Sequence, residues 1–160
     1  MFLPIPHYEE EYEINPETSE IWGIKRKIIL KQCLNRRGYF RVELYKNGKG
    51  KTMRIHRLVY KAVYPEEDIE GFEIDHIDGN KENNHWENLR KATTSENNCN
   101  VEARNKLGHK NIHLTKWGTY RVRIRKNGKH VFQKTYNTLD EAIENRDIQL
   151  QIHHGEFARF

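Results

Sequence analysis

The chain has 160 residues, 36% hydrophobic and 32% charged, a balance that favours small modules joined by polar loops over one large core. Its 28 Lys and Arg against 23 Asp and Glu give a formal charge of +5, which favours an anionic partner, nucleic acid first. Cys33 and Cys99 lack partners at metal-ligand spacing, so neither a zinc ribbon nor a disulfide framework is supported; no apolar run nears the ~20 residues of a membrane span, and the acidic N-terminus lacks a signal-peptide pattern, so a soluble, intracellular protein is expected.

Charge falls in blocks along the chain. Acidic residues crowd Glu9 to Glu20 and Glu66 to Glu73, whereas Lys25 to Arg57 and Lys106 to Lys134 are strongly basic. Within the first basic block, Gly38 to Lys49 aligns without gaps with Gly118 to Lys129, at an offset of 80 residues. Both copies alternate apolar and polar residues into an Asn-Gly pair, Asn47-Gly48 and Asn127-Gly128, the signature of a two-residue hairpin turn. Each is expected to continue into a second strand and then a helix, giving two small sheet-plus-helix modules.

Apolar residues at 55, 58, 59, 62 and 63 predict a helix from Ile55 to Tyr64 that stops at Pro65. A short strand follows from Phe72 to Ile77, ending in the turn Asp78-Gly79-Asn80, and then a polar loop from Asn83 to Leu89. Thr93-Thr94-Ser95-Glu96 is a capping box that should start a helix running toward Arg104. In the last third, strands are expected near Asn111 to Leu114, Thr119 to Lys126 and Lys129 to Tyr136, then a helix capped at Thr138. Strand alternation puts Tyr120, Val122 and Ile124 on the face that packs on Leu139, Ala142, Ile143 and Leu150, and Arg121, Arg123 and Arg125 on the other.

The residues that bear chemistry lie between the repeats. Glu73 to Asn80 reads Glu-Ile-Asp-His-Ile-Asp-Gly-Asn, with Asn88 twelve residues after His76 and Asn97 nine residues beyond that. The stretch Ile74 to Asn98, with Asp-His-Ile-Asp-Gly-Asn, Asn-Asn-His-Trp-Glu-Asn-Leu-Arg and Thr-Thr-Ser-Glu-Asn, resembles the HNH homing endonucleases of phages and introns, whose fold is a ββα-metal motif. Taken singly, Asp78-Gly79-Asn80 reads as a mere turn, Asn97 as a solvated helix residue and His76 as a capped loop residue. Their joint spacing favours the nuclease.

Hydrolysing a phosphodiester requires a nucleophilic water, neutralisation of charge on the phosphorane and help for the leaving 3′ oxygen. A hard divalent cation wants oxygen ligands, which the Asp75 carboxylate and Asn97 side-chain carbonyl would offer, with phosphate and water completing the shell. An imidazole with an ordinary pKa of ~6.5 suits His76 as general base. Neighbours on a strand face opposite ways, so Asp75 and His76 share a pocket only where the strand ends or twists. The resemblance makes Asn88 the middle letter of the motif, holding the loop against His76. It also marks a departure, since the last letter, often His, is Asn97 here. Arg57, Arg90 and Lys91 are candidate phosphate contacts, His56 is a packing residue or another such contact, and His85 is a loop residue.

Lys110 to Phe160 resembles an AP2-type domain, a three-stranded sheet backed by one helix, with the close His154-Gly155-Glu156-Phe157-Ala158 similar to that family's tail. The resemblance implies that the exposed face enters the major groove, where Arg121, Arg123 and Arg125, about 6.6 Å apart along the strand, bind guanine or phosphate. Trp117 either contacts a sugar or base or packs under the sheet. Ile5 to Tyr64 resembles more faintly the NUMOD4-like module that precedes the nuclease unit in many homing endonucleases, with Lys25, Arg26, Lys27, Arg36, Arg37 and Arg41 adding backbone contacts.

The expectation is an α+β protein with a nuclease core at 53–105 between a DNA-contacting module at 1–52 and an AP2-like domain at 106–160. It would be a phage- or mobile-element-encoded monomer, with dimerisation left open, acting in the cytoplasm of a bacterial host. It would nick double-stranded DNA site-specifically with one divalent cation, most simply Mg²⁺, with Mn²⁺ as the alternative. The competing readings are a non-catalytic DNA-binding regulator, which has no need of Asp75, His76 and Asn97 together, and a nonspecific HNH nuclease, which has no need of two flanking basic modules.

Overall fold

The structure is a computed structural model that describes every residue except Glu102, Arg104 and Phe160. It divides into two compact units, Met1–Lys91 and Ala92–Phe160. That boundary falls within the span 53–105 read from the sequence as one module. Each unit has its own apolar core, so the physical division follows packing rather than the motif.

The first unit opens with a sheet of four short strands in sequence order: β1 (Leu3–Pro4), β2 (Tyr12–Ile14), β3 (Ile21–Gly23) and β4 (Ile28–Ile29), each antiparallel to the next. Ile5, Ile14 and Ile21, all fully buried, tie it to the core. The sequence does not announce this sheet, because two- and three-residue strands carry too little alternation to read.

The first repeat copy forms a second sheet of β5 (Cys33–Leu34), β6 (Phe40–Lys46) and β7 (Lys49–Arg54). Asn47 and Gly48 both take positive φ, 52° and 75°, as a two-residue primed turn requires. Val42 and Leu44 point inward to the cluster containing Ile55, Leu58 and Val59 of α1 (Ile55–Val63). Chain direction changes from strand to helix at Arg54 without an intervening loop.

After α1 comes β8 (Glu73–His76), which pairs with β9 (Leu89–Ala92). A 3₁₀ turn, Trp86–Asn88, leads into β9. The sequence reading ended its polar loop at Leu89 and assigned no strand after it. The two buried residues of β9, Leu89 and Ala92, flank Arg90 and Lys91 and so do not alternate, because pairing with β8 and not amphipathicity holds this strand.

The second unit begins with α2 (Thr94–Cys99), capped by the Thr93–Glu96 capping box in both directions. Helix α2 ends at Cys99, short of the expected run toward Arg104, which lies outside the described residues. The second repeat copy follows as β10 (Ile112–Leu114), β11 (Tyr120–Lys126) and β12 (Lys129–Tyr136), backed by α3 (Leu139–His154) behind a Thr138–Glu141 capping box. Val122 and Ile124 are fully buried against Ala142 and Leu150, with Tyr120, Leu139 and Ile143 packed around them. This is the face assignment that strand alternation predicts. Among the described residues, no helix is long and apolar enough to cross a membrane.

Candidate functional site

Strand β8 delivers its last two residues, Asp75 and His76, to a buried position, 5% and 4% exposed. Both are enclosed because the strand ends there and β9 and the 78–88 loop cover it, the condition that lets strand neighbours share a site. Arg90 on β9 donates to Asp75 Oδ2 from Nε at 3.0 Å, and its terminal nitrogen lies 2.9 Å from the same oxygen.

His76 is oriented from its Nε2 edge. Asn84, 4% exposed, places Oδ1 3.1 Å from that nitrogen, and the amide orientation is set by its Nδ2 donating to the Glu82 carbonyl at 3.2 Å. An amide oxygen only accepts, so the neutral ring carries its proton on Nε2 and its lone pair on Nδ1. Burial lowers the His76 pKa, and the Lys81 charge adds to that, against the opposing pull of the Asn84 bond, Asp75 and Asp78. The neutral, proton-accepting form is favoured.

Asn88 closes the loop. Its Nδ2 donates to Asp78 Oδ1 at 3.0 Å and to the Asn83 carbonyl at 2.8 Å, while its Oδ1 accepts from the Asp78 amide at 3.0 Å and its carbonyl accepts from the Ile77 amide at 2.8 Å. Slight burial opposes ionisation of Asp78, but the bonds from Asn83, Asn88 and the Asn80 amide outweigh it and lower the pKa. Asn88 thus holds the segment from which Asn84 reaches His76. The sequence reading gave this duty to Asn88 alone and missed Asn84, one of several asparagines in a polar run with nothing to distinguish it before folding.

Two further aromatic rings pack on His76. His56 of α1 stands edge-on to His76 with centroids 5.0 Å apart, and Tyr39 lies 5.1 Å from His56 and 6.0 Å from His76. His56 is 2% exposed and its Nδ1 meets no hydrogen-bond partner among the described residues. Burial, then the charges of His76, Arg54 and Arg57, lowers its pKa to about 3. Of the two readings left open for His56, packing is the one this geometry carries, since its ring is enclosed against Tyr39 and His76.

Two of the other sequence-selected cations, Arg57 and Lys91, have protein partners. Arg57 donates to the Phe72 and Ile69 carbonyls at 2.9 and 3.1 Å, bracing the turn before β8. Lys91 lies 3.8 Å from a Glu67 oxygen and 4.4 Å from the Phe72 ring centroid. Arg41 is exposed on β6.

In the second unit Asn97 is half-buried on α2, its amide donating to the Thr93 carbonyl at 3.0 Å. Arg121, Arg123 and Arg125 share the outer face of β11. Arg123 Nε donates to Gln133 at 2.8 Å and Arg125 to His130 Nε2 at 3.2 Å, across the strand pair. Trp117 is 77% exposed with Lys116 over its ring at 4.6 Å, which removes the reading that packs it under the sheet.

As a test of fit for a metal, the oxygen donors Asp75 and Asn97 have the hardness a divalent cation prefers. Among the described residues, no group of three or more His, Cys, Asp and Glu is placed to hold one.

The segment from the end of β7 to α2 therefore contains the buried Asp-His pair, its loop and its cap. Residues 54–99 match the HNH endonuclease family. The chain is similar to the DNA endonuclease I-HmuI of Bacillus phage SP01, 42% identical over 108 residues that cover 68% of this chain and 59% of that protein. It is also similar to an uncharacterized HNH endonuclease of Acanthamoeba polyphaga mimivirus, 32% identical over 107 residues, or 66% of this chain and 56% of the other. The matches thus span less than two thirds of either relative's length. A solved structure of DNA binding and cleavage by the HNH homing endonuclease I-HmuI superposes with a TM-score of 0.56 at 28% identity, covering 96% of this chain and 91% of that one. The HNH segment thus sits in a mixed α/β fold similar to that of I-HmuI.

Proposed function

We propose that the protein is a site-specific DNA endonuclease of the homing type that hydrolyses one phosphodiester of double-stranded DNA per encounter. The observation that carries this is the buried Asp75–His76 pair within the HNH match, with the imidazole fixed on Nε2 by Asn84 and the loop closed by Asn88.

In this reading His76 Nδ1 takes a proton from water as the water oxygen bonds to phosphorus and the P–O3′ bond breaks. Asn84 keeps the accepting nitrogen fixed, and Asn88 supports it by holding the loop. Asp75, with Asn97 on the strength of the motif spacing, would hold a divalent cation, Mg²⁺ first. Once bound, that ion would neutralise charge on the phosphoryl oxygens and the departing 3′ oxygen. Arg90, on the same carboxylate oxygen, fixes how Asp75 presents itself. The outer face of β11 with Arg121, Arg123 and Arg125, together with Trp117 and the basic N-terminal segment, would choose where the chain lands, as the modules 1–52 and 106–160. One site per chain fits a nicking monomer.

The test is supercoiled plasmid carrying a phage-genomic insert, incubated with the wild type and with His76→Ala, in Mg²⁺ or in EDTA. Metal-dependent nicking or linearisation that disappears in the variant is the expected result. A retained mobility shift with no cleavage under any metal would leave the binding-protein reading.

A further inference from the structure

Tyr39, where the β5–β6 turn closes next to β6, meets more than the two imidazoles. The Lys81 ammonium lies 4.8 Å from its ring centroid and the Arg54 guanidinium 5.5 Å from it. Lys81 also donates to the Arg37 carbonyl at 3.1 Å, so it is held at both the ring and the turn. Both cations are exposed, and no carboxylate stands within ion-pair distance of either among the described residues. Arg54 is moreover directly opposite Arg41 in the β6–β7 ladder. Like charges facing each other across a ladder are unfavourable unless an anion is shared. Lys81 is close enough to bias His76, and Arg54 close enough to bias His56.

An aromatic face that orders two cations beside the candidate base, in a protein whose reaction centre is an anion, has a specific use. We propose that Arg54 and Lys81, aligned on the Tyr39 ring, form a binding site for backbone phosphate on the DNA strand presented to His76. This rests on the endonuclease reading and adds residues that the motif does not name. The first repeat would then provide a phosphate platform against the nuclease site in addition to any groove contact. Arg guanidinium stacks on the ring and forks toward phosphate, whereas Lys offers a point charge.

The experiment measures binding of the full chain to a fluorescein-labelled mixed-sequence duplex in EDTA, over a range of salt, for the wild type, Lys81→Gln, Arg54→Gln, Tyr39→Phe and Tyr39→Leu. Thermal melts confirm that each variant is folded. Each Gln variant is expected to reduce the slope of log affinity against log salt by about one. Tyr39→Phe, which keeps the ring face, should bind like the wild type, and Tyr39→Leu should lose the affinity of both cations. In Mg²⁺ the Gln variants should also lose about tenfold in kcat/KM for plasmid nicking. Folded Gln variants with the wild-type slope overturn the site, Tyr39→Leu binding like wild type overturns the platform, and altered slopes with unchanged kcat/KM overturn its placement on the presented strand. Because the binding arm needs no cleavage, a chain that shows the slopes and cuts nothing refutes the nuclease reading separately.

Discussion

Placed side by side, the two copies of the repeat agree on one face and part on the other. Val42 and Leu44 of β6 and Val122 and Ile124 of β11 occupy the same inward positions, and both hairpins turn on Asn-Gly with φ near 50° and 75°. Even the preceding turns match. Asn35 Oδ1 accepts from the Arg37 and Tyr39 amides, as Thr115 Oγ1 accepts from the Trp117 and Thr119 amides. The outward positions read Arg41, Glu43 and Tyr45 in one copy and Arg121, Arg123 and Arg125 in the other. The buried face preserves the frame, and the exposed face is free to diverge in chemistry. The helices diverge too. Helix α1 starts directly from the strand and carries His56 under the candidate base, while α3 is separately capped and packs Ala142 and Leu150 on its own sheet.

Four experiments would break or sharpen that comparison. The largest effect is expected at the site beside the first copy: His76→Ala should lower nicking by about 10²–10⁴-fold while gel-shift binding persists. If cutting survives, the first copy carries no reaction centre. Next come the equivalent core positions. Leu44→Ala and Ile124→Ala, both fully buried, should each cost about 2–5 kcal/mol in denaturant unfolding. A cost in only one copy would show that the frames are not equivalent.

A pH dependence should separate the two cores. The buried His56, with its pKa at about 3 against an unfolded value near 6.5, resists protonation in the folded state. Between those values the unfolded chain binds the extra proton, so stability falls as pH drops through this window and is fully present above it. The loss is on the order of a few kcal/mol, and His56→Leu should reduce it in melts at pH 7, 5 and 4, the remainder belonging to His76, whose pKa burial also lowers. Among the described residues no histidine of the second unit is buried as His56 is, so an undiminished acid sensitivity in the variant would contradict the assignment. The smallest change belongs to the cap that only the second copy has: Thr138→Ala should cost about 1 kcal/mol, a melting shift of about 2–4 °C.

Much of the fold could be read beforehand. Periodicity located α1, β11, β12 and α3, the Asn-Gly pairs located both hairpins, and capping boxes located the starts of α2 and α3, because each is a local signal set within a few residues. The four-stranded N-terminal sheet and β9 were not legible, since strands of two to four residues are held by partners distant in sequence. At the candidate site, adjacent Asp75 and His76 and the spacing to Asn88 stood out because motif spacing survives in one dimension. Asn84, Tyr39 and the ion pair of Arg90 with Asp75 did not, because an asparagine, a turn tyrosine and a strand arginine acquire a role only from what folding sets beside them.

The amino-acid sequence alone determined the repeat, its inward residues and the motif, all of which depend on local spacing and side-chain type. Only the tertiary structure decided that Asn84 fixes the His76 ring, that His56 is buried against that ring, that Trp117 is exposed and that Tyr39 gathers two cations. Each of these depends on distance between chain segments, and the energy of burying, stacking or pairing a group is set by neighbours that the linear order does not name.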